Sequence, residues 1–580
     1  MIRDLIRRHP LAAVCAFVTV CVLPMMILRD PSPSNELRYL SIVEEALEGR
    51  HFFCFYNQGI PYTDKPPMFF WLLMFFRLFC STTCMWLPVL FTALIPSFVT
   101  VAVMDKWLRM AHRDVTPLMR ICCAALLLAG MLFAVQTFFL RMDVLMTMFI
   151  MLALFTFWKM YTGGEMPDHV GHDDKCGHDS KTDRWLLPLY IFLALFTKGP
   201  VGFFAPVVVI IVFLALEKQL RRLPEFLGWR QWLVMLLLFG GWILGAWLEG
   251  GGEYIRSLLF HQTLDRAVNA FTHKQPFWWY IPTLLYAVLP YTLLMITAVV
   301  YLYLQQWKKH RANLPESTGS DTLNKLLLTS IAVVFIMLSA FSGKLAIYLT
   351  PVLPLMTYLV PAFSTATAGR REGLKKAALI IPSVIIALAG LALWTVYQLK
   401  GVEPFSKIAF ALAINTPYIF STTILATAAV LLSGFTAAGI VTARGGWQKG
   451  AIAMAAALYL AIFAFGCTVN HVNEWLGYRS VAEEALRQSS GTDTYNTLFV
   501  SRPENMDIYL GCDVIDYKDN VEAFISGTPI DGSPSDPYTG DHLGKVLIVP
   551  TSRLGDCPPL REYLESNEGT PVGPLTIFAL

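Results

Sequence analysis

Two polar stretches follow the first apolar segment of the chain, SNELRYLSIVEEALEGR at 34–50 and YTDKPP at 62–67. Apolar side chains recur at helical spacing in the first stretch, at Leu37, Leu40, Val43 and Leu47. This pattern predicts a short amphipathic helix from Asn35 to Gly49 that lies on a membrane surface and turns Glu36 and Arg38 towards a polar cavity. The two prolines after Lys65 restrict the backbone there, so they would hold the Lys65 amine in a fixed place.

The composition is that of an integral membrane protein. Of 580 residues, 55% are hydrophobic and only 15% are charged, whereas soluble domains contain roughly a quarter charged residues. The net charge of +3 is small and scattered, which argues against a nucleic-acid partner.

Apolar runs of about twenty residues, the length of a membrane-spanning helix, predict an all-α polytopic fold with about thirteen spans. The first run, Leu11–Leu28, is expected to be a retained anchor rather than a cleaved signal peptide. TKGP, at 197–200, interrupts the apolar run between Leu186 and Leu216 and predicts a tight hairpin between two short spans. With that hairpin, Lys and Arg concentrate in alternate loops, so the N-terminus is expected inside and the C-terminus outside.

Two domains are expected. Residues 1–467 would form the membrane domain, with amphipathic helices in the outer loop at about 29–84, including a short interfacial helix within Pro67–Cys80. Residues 468–580 are more polar and contain strand-like pieces between Gly- and Pro-rich turns, which predicts a small α/β domain outside the membrane. Cys512 and Cys557 lie in that region, and whether they pair in an oxidising compartment is left open.

Ionisable residues within a membrane domain are costly and therefore mark candidate functional sites. The predicted topology brings most of them to the outer side, although a single lysine such as Lys198 at a span end also has the ordinary interpretation of snorkelling to the interface. The outer set comprises Asn35, Glu36, Arg38, Tyr39, Tyr62, Asp64, Lys65, Arg141, Asp143, Lys198, His261, Asp265, Arg266, Lys344 and Tyr348.

This mixture of cations, acids and hydroxyls suits a phosphate at the lipid boundary better than a cation pathway. A lipid-linked phosphate is a good leaving group when its developing negative charge meets a preorganised lysine and arginine. Lys65 and Arg266 are the candidates for that role.

The motifs occur in a characteristic order: NELRY at 35–39, YTDKPP at 62–67, TKGP at 197–200, HQTLDR at 261–266 and KLAIYLTP at 344–351. In this order they resemble the GT-C membrane glycosyltransferases. The likeness is greatest to glycosyltransferase family 39, the branch with ArnT-type aminoarabinose lipid A transferases and protein O-mannosyltransferases. It covers roughly Asn35 to Pro354, and DKPP after NELRY is its most specific element.

The resemblance implies a thirteen-span GT-C fold, a polyprenyl-phosphate sugar as donor, and transfer on the periplasmic face of the cell inner membrane. It implies that Lys65, Arg266 and Tyr348 hold the donor phosphate. Cavity positions would be Arg38, Tyr39, Tyr62, Lys198 and Lys344. Asp64 and His261 fall where a relative binds zinc, but Asp replaces the relative's Glu, and two ligands are an incomplete site.

Asn35 departs from the family pattern, in which an Asp precedes the Glu and is considered the catalytic acidic residue. An asparagine cannot take a proton from an acceptor hydroxyl at neutral pH. Either Glu36 or Asp143 is the base, or the acceptor is an already ionised phosphate and Asn35 orients it by hydrogen bonds.

The resulting expectation is transfer to lipid A or another envelope acceptor. A protein O-glycosyltransferase of the same fold is the main alternative, although a hydroxyl acceptor profits from a base. A lipid flippase or transporter would favour repeated halves and midplane charges, and an inactive homologue is also considered. The C-terminal domain is expected to help capture the acceptor.

Overall fold

The computed structural model describes residues 9–81, 83–112, 115–163, 180–258, 274–311, 319–400, 402, 417–489, 495–512, 514–527 and 546–580. Within these ranges the chain is mostly helical. Eight of its helices are long and apolar enough to cross a membrane: Pro10–Leu28, Trp86–Ala111, Asp143–Tyr161, Trp229–Arg256, Ser320–Ala340, Glu372–Gln398, Thr422–Gly445 and Trp447–His471.

Shorter helices complete the bundle. Four are apolar: Met68–Arg77, Pro117–Leu128, Pro200–Leu216 and Val352–Ala366. Others are Met131–Gln136, Ser180–Lys198, Tyr280–Ala287 and Thr292–Arg311. The described helices support a multi-pass fold, and the count of thirteen spans stays a prediction.

The hairpin predicted at TKGP is confirmed. One helix ends at Lys198 and the next begins at Pro200, with Gly199 between them at φ 111°, a conformation that glycine adopts at little cost. The two helices pack so closely that a Cβ on Gly202 would lie 2.2 Å from the Ala194 carbonyl oxygen. This turn leaves Lys198 at the end of the bundle.

The predicted amphipathic helix is also present, with an irregular start. Residues Pro33–Leu37 form a π-helical turn that continues into the helix Arg38–Glu48. Leu40 and Val43 are buried, as the apolar spacing predicts. A hairpin follows, with strands β1 (Tyr56–Asn57) and β2 (Ile60–Pro61). Its turn is held by the Glu45 carboxylate, which accepts hydrogen bonds from the backbone N–H groups of Gln58 and Gly59 at 2.7 and 2.9 Å.

The helix Trp229–Arg256 holds the chain that leads to DKPP. The Glu249 carboxylate accepts hydrogen bonds from the backbone N–H groups of Phe52, Phe53 and Cys54 at 3.0–3.2 Å. The Tyr254 hydroxyl accepts one from Phe55 N–H at 3.1 Å and donates to the Tyr62 carbonyl at 3.3 Å. Segment 52–62 is therefore fixed through its backbone just before Lys65.

The C-terminal region folds around a five-stranded sheet of order β4-β3-β5-β7-β6. Strand β3 pairs in parallel with β4 and β5, and the other pairs are antiparallel. The strands are β3 Tyr495–Thr497, β4 Val514–Asp516, β5 Val546–Pro550, β6 Gly569–Val572 and β7 Leu575–Ala579. Helices of this region are Asn473–Leu476, Arg479–Gln488, Asp507–Leu510, Val521–Ser526, Thr551–Asp556 and Pro558–Tyr563.

Cys512 and Cys557 are both half-buried, and no disulfide joins them to each other. Cys512 packs against the large hydrophobic core that continues into the membrane helices, whereas Cys557 packs against a separate cluster on the sheet. The structure thus gives the suggested pairing no support.

Candidate functional site

Asp143 is the centre of a charged cluster at one end of the bundle. It begins the helix Asp143–Tyr161 and is 1% exposed. One carboxylate oxygen contacts Nζ of Lys198, from the TKGP hairpin, and the other lies 3.3 Å from Nε of Arg141. A buried carboxylate with two cationic partners stays ionised, because both partners favour its charged form.

Lys65 and Tyr348 join this cluster. The Lys198 Nζ atom lies 4.4 Å from the centre of the Tyr348 ring, and Lys65 is close enough to Lys198 for their positive charges to repel. Four separate segments of the chain therefore meet here. The cluster of Lys65, Arg141, Asp143, Lys198 and Tyr348 is named the cationic cavity below, after the polar cavity that the sequence predicts at this position.

The helix Arg38–Glu48 forms one side of this cavity. Tyr39 is 4% exposed and lies within electrostatic reach of Arg38, Arg141, Asp143 and Asp64. Burial raises the pKa of Tyr39, so its hydroxyl stays a hydrogen-bond donor at neutral pH.

Arg38 lies beside Tyr62, with its guanidinium carbon 5.7 Å from the centre of the Tyr62 ring. Its Nε atom is buried and has no hydrogen-bond partner among the residues that the structure describes. A buried donor of this kind is costly unless a partner reaches it, so Arg38 suits an anionic ligand.

Among the residues that the structure describes, positive charge is in excess around the cavity. Arg38, Lys65, Arg141 and Lys198 supply four cations, against the two carboxylates of Asp64 and Asp143. An anion entering this region would restore the balance.

Glu36 differs from its expected orientation. It is 0% exposed and forms a bidentate pair with Arg29, both N–O distances being 2.8 Å. Its two oxygens also accept hydrogen bonds from the backbone N–H groups of Ser32 and Leu140, each at 2.8 Å. Glu36 thus ties the first loop to the segment that carries Arg141, instead of facing the cavity.

Asn35, the neighbour of Glu36, is half-exposed, and its side-chain nitrogen donates to the Ser34 hydroxyl at 3.2 Å.

Lys344 supports a turn near Tyr348. Its amine is 3% exposed and donates to the backbone carbonyls of Gln275, at 3.1 Å, and Phe341. These contacts fix the chain just before Tyr348.

His261, Asp265 and Arg266 lie outside the described residues, so the geometry of Lys65 relative to Arg266 is not tested. The suggested zinc site has one described member, Asp64, which interacts with a neighbouring group. Within the described ranges no three His, Cys, Asp or Glu side chains come together in a way that could hold a metal. Zinc therefore stays a prediction.

Sequence reasoning did not find Arg29, Glu249 or Tyr254, which position the first loop. Arg29 directly follows an apolar run, where an arginine usually snorkels to the interface. The sequence signal for the contact between the first loop and helix Trp229–Arg256 was Gly250. A Cβ at this position would lie 2.5 Å from the Cys54 sulfur, so a glycine allows the close approach.

The chain resembles curated proteins over part of its length. It is 30% identical over 192 residues to an undecaprenyl phosphate-α-4-amino-4-deoxy-L-arabinose arabinosyl transferase of Shewanella sediminis, which covers 33% of this chain and 32% of the relative. A second such transferase, from Proteus mirabilis, is 27% identical over 246 residues, 42% of this chain and 40% of the relative. The matches thus span about a third of these relatives' length. No family model matches the chain.

The resemblance in structure extends over the whole chain. ArnT from Cupriavidus metallidurans bound to undecaprenyl phosphate superimposes with a TM-score of 0.69 at 16% identity, over 98% of this chain and 97% of that chain. The apo form of the same protein gives 0.67.

The fold is therefore that of a multi-pass membrane protein, and it is similar to the fold of ArnT. The partial sequence matches and the structural likeness are both to ArnT-type proteins, which confirms the resemblance indicated by the motifs.

Proposed function

We propose that this protein is an inner-membrane glycosyltransferase. It moves a sugar from a polyprenyl-phosphate donor to a phosphate of lipid A or of another cell-envelope acceptor, on the periplasmic face. The observation that carries the proposal is the cationic cavity, where Lys65, Arg141, Lys198 and Tyr348 arrive from separate segments with an excess of positive charge. The names of the partial relatives, and the lipid bound to the structurally similar ArnT, support the same donor class.

Lys65 and Tyr348, together with Arg266, would hold the donor phosphate. When the bond between the sugar and the phosphate oxygen breaks, the phosphate takes the electron pair and gains negative charge. Fixed cations stabilise that charge without reorganising, and each such donor typically contributes about 3 to 4 kcal/mol. Lys198 would add a further positive charge at the cavity wall.

The geometry favours an acceptor that needs no base. Asp143 is already occupied by Lys198 and Arg141, and Glu36 accepts four hydrogen bonds from Arg29, Ser32 and Leu140. Neither carboxylate suggested as a base is placed to take a proton at low cost. An ionised phosphate can attack the sugar directly, and Asn35 and Arg38 would orient it by hydrogen bonds.

The proposal includes the topology that this chemistry requires. About thirteen spans, with the N-terminus in the cytoplasm, put the cavity and the C-terminal domain on the periplasmic side. The helices Arg38–Glu48 and Met68–Arg77 would lie along the outer leaflet.

The test is mass spectrometry of lipid A and of exported glycoproteins from cells with and without the gene, which detects any transferred sugar by its mass. The expected result is loss of one sugar mass from lipid A or another phosphate-bearing envelope lipid. Loss from exported proteins alone would instead identify a protein O-glycosyltransferase, and unchanged samples in both fractions would overturn the transferase proposal.

A further inference from the structure

The segment that carries Asn35 is held from two sides. On the side of the bundle, Glu36 binds Arg29 and the Leu140 backbone. On the other side lies the C-terminal domain. Pro31 and Pro33 have no backbone N–H to donate, so the local hydrogen bonds of this stretch are few, such as the one from Ser32 N–H to Glu36. Contacts from outside add to them.

The main contact is the segment Pro503–Leu510 of the C-terminal domain. The Asn505 side-chain nitrogen donates to the Pro33 carbonyl at 2.8 Å. The Ser41 hydroxyl donates to the Asp507 carboxylate at 2.5 Å, a charge-assisted bond. The Gln58 side chain donates to the Glu504 carbonyl at 3.0 Å. These bonds fasten both ends of the turn that contains Asn35, as well as the hairpin behind it.

A second contact fastens the start of the same segment. The Asn473 side chain donates to the Leu28 carbonyl at 2.8 Å and accepts from Asp30 N–H at 3.1 Å. Arg479 Nε lies 3.4 Å from the Asp30 carboxylate. Gly477 allows this approach, since a Cβ there would lie 2.4 Å from the Asp30 Cβ.

Two of the side chains in the main contact are buried. Asn505 is 0% exposed and Ser41 is 1% exposed. Side chains that are enclosed against the first loop are not available to recognise an acceptor, so this face of the domain serves the loop itself.

We propose that Asn505 and Asp507 are positioning residues, and that the C-terminal domain acts as a clamp that holds the Asn35 turn in its working shape. The consequence for catalysis rests on the proposed transferase function, whereas the clamp itself does not. Asn505 acts through the Pro33 carbonyl and Asp507 acts through the Ser41 hydroxyl.

The clamp is tested by hydrogen–deuterium exchange on the full-length protein in nanodiscs. Asn505→Ala and Asp507→Asn are each expected to speed exchange in peptides covering 33–41 by about tenfold, the order expected for the loss of one hydrogen bond. Peptides covering β5 and β7 are expected to be unchanged. Asp519→Asn is the matched control, because it removes the same charge from an exposed position of the same domain.

Two outcomes would overturn the clamp. One is unchanged exchange at 33–41 in both variants. The other is equal acceleration across 33–41 and the sheet, which would show loss of the domain fold rather than release of the turn.

A kinetic measurement tests the link to function. If the transferase proposal holds, Asp507→Asn lowers kcat by about tenfold through misplacement of the acceptor side, and leaves the donor KM unchanged because Lys65 and Tyr348 are untouched. Ser41→Ala should produce the same loss, and the double variant no more than either single one. A raised donor KM with unchanged kcat would contradict this link. Hydrogen–deuterium exchange is measured without substrate. Its result therefore tests the clamp even if the transferase proposal fails.

Discussion

Two buried aspartates, Asp143 and Asp105, lie at opposite ends of one pair of packed helices. Trp107 packs on Trp158, with ring centroids 6.1 Å apart, which places Asp105 beside the end of helix Asp143–Tyr161 that is far from Asp143. Each aspartate is 1% exposed and contacts two cations. Burial and pairing are therefore the same at both ends.

The two sites differ in where their partners come from. Asp105 binds Arg109 at 3.0 Å and Arg120 twice at 2.8 Å, both from its own helix or the next one. Asp143 meets Lys198 from a distant hairpin, and beside them lie Lys65 and Tyr348. A buried ion pair is by itself weak evidence for function. Convergence of separate loops, with surplus positive charge, is what distinguishes the cavity.

The largest expected effect is on catalysis at the cavity. Lys65→Ala should reduce sugar transfer at least about 100-fold, because one fixed cation at the leaving phosphate is lost. Transfer is measured in membranes from cells that lack the native gene, with protein levels matched by immunoblot.

Lys106→Ala is the control for Lys65, since Lys106 is an exposed lysine at the far end and its loss should leave transfer unchanged. Equal sugar transfer by the Lys65→Ala and Lys106→Ala variants would show that the two ends of the helix pair do not differ in function.

The next effect is on stability alone. Asp105→Asn should destabilise the fold by about 3 kcal/mol, because it leaves two arginines without their buried carboxylate. Thermal unfolding in detergent measures the loss, and turnover per folded molecule should stay as in the unchanged protein. A fall in turnover at full stability would show that the far end also takes part in the reaction.

Asn35→Asp is expected to have a smaller effect, at most about tenfold and in the harmful direction. A carboxylate at this position would repel an anionic acceptor, at a cost of roughly 1 kcal/mol in a well-solvated site. The initial rate of transfer is the measurement, with Lys106→Ala, an exposed position at the far end of the bundle, as the control. A large gain in rate would show that the reaction lacks a base, and would point to a hydroxyl acceptor.

The sequence predicts which residues come together more successfully than it predicts the individual contacts that those residues make. The TKGP hairpin, the helix that begins within NELRY and the shared outer side of Lys65, Lys198 and Tyr348 follow from apolar periodicity and alternating loop charge. The meeting of these three side chains follows from the family resemblance. The inward orientation of Glu36 towards Arg29 does not follow from the sequence. A helical pattern predicts which face of the helix is buried, but it does not predict which residue a buried side chain binds. The contacts of Asn505 with Pro33 and of Asp507 with Ser41 also do not follow from the sequence, because the paired residues are far apart in the chain and no periodic pattern links them.

A third charge pair, in which the cation is exposed and the carboxylate is 11% exposed, serves for comparison with both aspartates. Glu484 and Arg487 pair on the helix Arg479–Gln488, and Arg487 is 74% exposed. The hydrogen bond from Arg487 lowers the pKa of Glu484, so the pair contributes stability above the ordinary glutamate pKa of 4.5 and loses it as the pH falls and Glu484 takes a proton. Arg487→Ala should cost only about 0.3 kcal/mol at pH 7, because solvent screens exposed pairs, and the difference should shrink below pH ~4.5.

Thermal unfolding of the full-length protein at pH 7 and pH 4 measures this difference, with Arg561→Ala, another exposed arginine of the same domain, as the control. A loss above about 1 kcal/mol, or one that does not change with pH, would contradict the prediction and show that Arg487 acts through packing. Exposure of the cation, and not the count of paired charges, would otherwise account for the difference between this pair and Asp105, because solvent screens Arg487, which is 74% exposed, more than Arg120, which is 20% exposed.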